Sequence, residues 1–112
     1  MQQWDIFMFP FTRERRHPAV IISNDETCHN EDIEEVNALL CTSAQVNRGP
    51  KLTEEALDEN DGLDWKTLVR CDKIYLLPKE QFKERKGSVT EERRYLVARK
   101  IVEVLRLPIH RR

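Results

Sequence analysis

Apolar residues along this chain come in short runs bounded by Pro, Gly, Asn and Asp, a spacing that predicts strands over most of its length and one helix at the end. WDIFMFPF alternates weakly and is rich in aromatics, so a first strand runs from about Asp5 to Phe9 and Pro10 ends it. The polar stretch TRERRH makes a loop. Pro18 then opens AVIIS, an apolar run suited to a second strand buried on both faces. Asn24 and Asp25 supply turn chemistry. Val36 to Ser43, VNALLCTS, forms the third strand, apolar on both faces until Thr42 and Ser43. Arg48, Gly49 and Pro50 mark a turn, and the acidic loop down to Asp64 has room for a short strand near Ala56.

After Trp65, TLVRCDKI continues into IYLL. In a strand Val69 and Cys71 face one way, while Arg70 and Asp72, two apart, emerge side by side on the other face. Inward positions then shift to Ile74 and Leu76, so the alternation slips by one residue near Asp72 and Lys73. Such a slip predicts a β-bulge or sharp bend, a feature over-represented beside active sites. The last element is a helix starting near Thr90, with Thr90 as N-cap and Glu91 and Glu92 in its positive first turn. Leu96, Val97, Ile101, Val104 and Leu105 give it an apolar stripe, and it ends before Pro108.

The layout is mainly β: five or six short strands in a small, strongly curved antiparallel sheet or partly open barrel, closed by an amphipathic C-terminal helix. With 112 residues the chain can hold one modest core, so residues 1–108 form a single domain and 109–112 a basic tail. Short open barrels leave edges and apolar patches, which predicts a homodimer. At 39% hydrophobic and 35% charged, the composition is that of a soluble protein with a charged surface. No apolar run approaches the roughly 20 residues that span a bilayer, and the N-terminus carries no signal core, so a cytoplasmic protein without membrane contact is expected. Cys28, Cys41 and Cys71 are odd in number and two lie in strand-like runs, which predicts buried free thiols. There is no CxxC pair, and adjacent Cys28 and His29 make a poor zinc half-site, so neither metal nor other cofactor is expected.

Charge is distributed unevenly, and this matters more than the net value of −1. From Glu26 to Asp64 there are eleven acidic residues against two basic, and from Lys83 to Arg112 ten basic against four acidic. A second basic knot, Arg13, Arg15, Arg16 and His17, sits near the N-terminus. Near-neutral total charge argues against nonspecific coating of nucleic acid. It permits one local groove, because clustered Arg near a turn can grip phosphates.

In the order WDIFMFPF, HPAVIISND, LLCTSAQ, GLDW with TLVRCDKI, and a last helix after GSVTEERR, nearly the whole chain resembles the MazF/PemK/Kid toxins of bacterial toxin-antitoxin systems. That resemblance implies a small SH3-like barrel and a dimeric, metal-independent endoribonuclease that cleaves single-stranded RNA. Its expected partner is a cognate antitoxin, with DNA contact only through that antitoxin. VRCD resembles the PemK/Kid branch, which implies catalytic roles for Arg70 and Asp72. The TS element implies an active-groove position for Thr42 and Ser43. One position departs from the family pattern. An Arg usually precedes the Pro that opens the second strand, and here His17 stands there. Either Arg15 or Arg16 reaches in from the loop to contact RNA, or His17 takes a catalytic place, or activity is reduced.

The chemistry implied is attack of a ribose 2′-hydroxyl on the adjacent phosphate. Asp72 is the candidate base and Arg70 the phosphate clamp. An always-protonated guanidinium is a poor acid, so His17, or a water held by Thr42, is the better proton donor. Phe9, Phe11 and Tyr75 are candidates by type for base stacking, and their ordinary reading is core. A toxin of similar barrel type that binds a protein such as a topoisomerase, or a noncatalytic SH3-like module with a structural ion pair, is the alternative.

Overall fold

The computed structural model describes residues 1–42 and 45–109. Six strands build one antiparallel sheet: β1 Asp5–Phe9, β2 His17–Ile21, β3 Glu35–Cys41, β4 Glu54–Leu57, β5 Thr67–Pro78 and β6 Glu84–Ser88. Their spatial order is β4-β5-β3-β2-β1-β6, a curled half-barrel. Helix α1, Asp25–His29, and helix α2, Glu91–Leu105, complete the fold. No helix among the described residues is long and apolar enough to cross a membrane.

Alternation along the strands gives the sheet two buried faces. On the helix face, Ile6, Val20, Leu39, Cys41, Val69 and Cys71 pack with Val97 of α2. On the aromatic face, Phe7, Phe9, Ala19, Ile21, Val36 and Ala38 pack with Phe82 and with Cys28 of α1. All three cysteines are free and buried, as the apolar runs predicted for two of them.

The slip in β5 is present and can be read in the register. Leu39 pairs with Ile74 and Cys41 with Val69, so Arg70 to Lys73 stand opposite Leu40 alone. Ile74 and Leu76 consequently share the helix face with Val69 and Cys71. They are nevertheless 42% and 59% exposed, because α2 packs on β4 and β5 without covering that far end. Their expected burial is thus corrected, while the expected bend stands.

Further corrections follow from local chemistry. The Asn24–Asp25 turn is the start of α1, since the Asn24 side chain caps the helix by accepting from Thr27 N at 2.8 Å. Thr90 occupies the N-cap of α2, yet its side chain makes no capping bond, and its own N–H donates to Asp61 Oδ1 at 2.9 Å. Within the apolar stripe of α2 only Val97 is fully buried, Ile101 and Val104 pack partly, and Leu96 and Leu105 are both 39% exposed. Strand β6, ERKGS, is an edge strand without apolar alternation, which is why it escaped the sequence pattern. It runs close against the turn after β4. A Cβ on Gly87 would lie 2.1 Å from the Asp61 carbonyl oxygen, and one on Gly62 (φ 93°) 2.6 Å from the Lys86 carbonyl oxygen. Both contacts are backbone to backbone, so only glycine fits at either position.

Candidate active site

The β5 bend places the two residues that the i, i+2 spacing singled out. Arg70 is the last residue of β5 in register with β4, opposite Glu54, and Cys71 N–H donates to Thr53 O at 2.9 Å. Asp72 then leaves both ladders. Arg70 Nε lies 3.8 Å from Asp72 Oδ1, an ion-pair distance too long for a hydrogen bond. Both side chains are partly open to solvent, at 38% and 31%. Asp72 Oδ1 is itself buried and has no hydrogen-bond partner among the described residues. That oxygen is therefore a hydrogen-bond acceptor not used by the described residues. Cys71, between the two, is no rival nucleophile, since burial pushes its thiol up to about 12.

His17 sits at the start of β2, and its pairing with Phe9 puts it on the aromatic face, the face Arg70 also takes because Val69 and Cys71 point to the helix side. Its ring meets Phe11 edge-on at 5.6 Å between centroids, and Phe11 meets Tyr75 in the same way at 5.6 Å. Nδ1 lies 3.3 Å from the Cys41 carbonyl oxygen. A carbonyl can only accept, so that contact requires the proton on Nδ1 and leaves Nε2 for other partners. Phe9 is core, as the ordinary reading had it, whereas Phe11 and Tyr75 are half-buried beside His17.

Thr42 follows β3 and ties it to β5. Its N–H donates to Leu68 O at 3.0 Å, and its hydroxyl accepts from Leu68 N–H at 3.1 Å, two residues before Arg70. Replacing Thr42 with valine strands the Leu68 N–H, and we expect a loss of about 1–3 kcal/mol in urea denaturation. Serine at the same position, which keeps the acceptor, should recover most of it. Ser43, expected beside Thr42, lies outside the described residues.

Arg15 and Arg16 stay in the β1–β2 loop. Arg15 is exposed, and Arg16 Nη1 bonds Glu84 Oε2 on β6 at 2.6 Å. Arg16 and Thr42 instead share a cleft of about 270 Å³ with Trp65 and Lys86, two residues that sequence reasoning did not single out. The candidate residues therefore fall into two neighbouring groups, Arg70 with Asp72 at the bend and Arg16 with Thr42 at the cleft. The Thr42–Leu68 bonds join them. A larger cleft of about 530 Å³ lies at the opposite end of the sheet, where Glu31, Glu34, Glu35 and Glu80 line it and repel a polyanion. Among the described residues no three His, Cys, Asp or Glu side chains converge as a metal cluster.

No curated protein is significantly similar to this chain in sequence. Solved structures are similar in fold. An endoribonuclease from a mycobacterial species, in complex with its cognate antitoxin, superposes with a TM-score of 0.75 at 20% identity, covering 98% of this chain and 97% of that one. The Mycobacterium tuberculosis toxin MazF-mt6 gives 0.74 at 20% identity over 94% and 99% of the two chains. The MazE–MazF structure from Deinococcus radiodurans gives 0.71 at 18% identity over 96% and 97%. Residues 2–105 match the model of the PemK-like, MazF-like toxins of type II toxin-antitoxin systems. That match spans every strand and both helices, and the chain belongs to this toxin family.

Proposed function

We propose that this toxin is an endoribonuclease that cleaves single-stranded RNA without a metal ion, using the 2′-hydroxyl as nucleophile. The observation that carries the proposal is the Asp72 carboxylate, with Oδ1 buried and unpartnered 3.8 Å from the Arg70 guanidinium. Asp72 removes the 2′-hydroxyl proton, and the freed oxygen attacks the adjacent phosphorus. Arg70 stabilises the charge that builds on the pentacoordinate phosphate. The bond to the 5′-oxygen breaks, and protonated His17 supplies the proton that this oxygen takes up. The products are a 2′,3′-cyclic phosphate and a 5′-hydroxyl.

Arg16 and Thr42 share the cleft, and Arg15, Arg16, Thr42 and Ser43 are proposed to contact the RNA strand. The Arg16–Glu84 pair is exposed on both sides and therefore cheap to exchange for a phosphate contact. Half-buried Phe11 and Tyr75 offer ring surface for an unpaired base. The cognate antitoxin is proposed to compete for the same groove, and a homodimer is supported by the uncovered apolar residues Ile74 and Leu76.

The test is to incubate the purified chain with a defined RNA oligonucleotide in EDTA and to identify the new ends by mass spectrometry. Cyclic phosphate and 5′-hydroxyl ends are expected. Intact RNA, or cleavage only after magnesium is added back, overturns the proposal.

A further inference from the structure

Glu54 poses a hazard to the proposed site. It stands directly opposite Arg70 across the β4–β5 ladder, and residues so paired share one face with Cβ atoms about 5 Å apart. A carboxylate there would be a natural partner for the Arg70 guanidinium and would draw it away from phosphate. The structure shows Glu54 taken up elsewhere. Arg48 Nη1 donates to Glu54 Oε1 at 2.7 Å and Arg48 Nη2 to Oε2 at 3.1 Å, a two-pronged clasp, and Lys51 N–H adds a bond to Oε1 at 2.8 Å. Glu54 is 5% exposed, so its charge is buried and committed. The Arg48 end of the clasp is anchored through its backbone, where Lys66 Nζ donates to the Arg48 carbonyl at 2.7 Å. With Glu54 clasped, the one ion pair Arg70 makes among the described residues is its 3.8 Å approach to Asp72.

We infer that Arg48 is a positioning residue: by clasping Glu54 it keeps the Arg70 guanidinium available for the phosphate. This inference rests on the catalytic reading of Arg70. The alternative role for Arg48 is to hold the loop before β4 in place and nothing more. The hydrogen bonds to Arg48 also hold the Glu54 carboxyl below its ordinary range, so Glu54 stays charged at neutral pH and the hazard is permanent.

The two roles differ in what happens when Glu54 is neutralised as well. Arg48→Ala should lower the single-turnover rate of cleavage of a defined RNA about tenfold, the loss of one charge-assisted contact to the transition state. Adding Glu54→Gln to it should restore the rate to within about threefold of the parent, because the competing charge is gone. Arg48→Gln keeps one donor for Glu54 and a folded loop. It should show a smaller loss that Glu54→Gln also reverses, so the question stays answerable if Arg48→Ala unfolds. A double variant as slow as the single one, or Arg48 variants as fast as the parent, would overturn the inference. Arg70→Ala run in parallel separates the two levels: if it cleaves at the parent rate, the catalytic reading of Arg70 itself fails, and the positioning role fails with it.

Discussion

Asparagine in place of Asp72 should lower the single-turnover rate of RNA cleavage by about 10²–10⁴-fold, the range a positioned general base contributes. The side chain keeps its shape and loses its charge and its ability to take a proton. Stability should barely move. Oδ1 has no hydrogen bond to lose among the described residues, and the approach to Arg70 is too long to be one, so a change within about 0.5 kcal/mol is expected. A large loss of rate at unchanged melting temperature therefore separates catalysis from folding. The same variant should still bind RNA, because Arg70 and the loop arginines remain. Filter binding with an RNA carrying a 2′-deoxy substitution at the scissile position measures this without turnover. Parent-like cleavage by Asp72→Asn would show that the base is another group.

Much of this arrangement was legible from residue order, and the reason is local. Strand periodicity alone puts Arg70 and Asp72 on one face, and the odd number of residues inserted opposite Leu40 appears in the sequence as a break in the Val69, Cys71, Ile74, Leu76 alternation. β1, β2 and β3 were legible because their apolar runs are bounded by turn residues. β6 was not, since an edge strand of charged residues leaves no hydrophobic trace, and its register depends on the backbone approach of Gly87 to Asp61. The Arg48–Glu54 clasp was hidden for another reason. Which residue Glu54 opposes follows from the β4–β5 register, and no spacing within the acidic loop reveals it. Trp65 and Lys86 come together in the cleft in the same way, through pairing of distant segments.

The largest effect on stability is expected at Arg93, on the first turn of α2. Its guanidinium donates to both Asp58 oxygens, at 2.7 and 2.9 Å, and to Asp61 Oδ2 at 2.6 Å. Asp61 is 1% exposed and also accepts from the Asp58 and Thr90 N–H groups. The cluster thus fastens the 3₁₀ turn Glu59–Asp61, which touches β6 at Gly87, to the start of the helix that roofs the core. Arg93→Ala leaves a buried carboxylate without its cation, a change that costs about 3–5 kcal/mol and should lower the melting temperature by more than about 10 °C. Adding Asp61→Asn removes the stranded charge, so the double variant should be more stable than Arg93→Ala alone. The cluster also sets an acid limit. Hydrogen bonds from Arg93 hold the Asp58 carboxyl down at about 2, below its ordinary value of 3.8. A depressed folded-state value means that its stabilisation is complete above about pH 4 and is lost as the pH falls through about 2. Melting curves should accordingly show the parent losing stability over that interval, while Arg93→Ala, already without the pair, loses less there. Equal acid sensitivity in the two proteins would show that other carboxylates govern the acid transition.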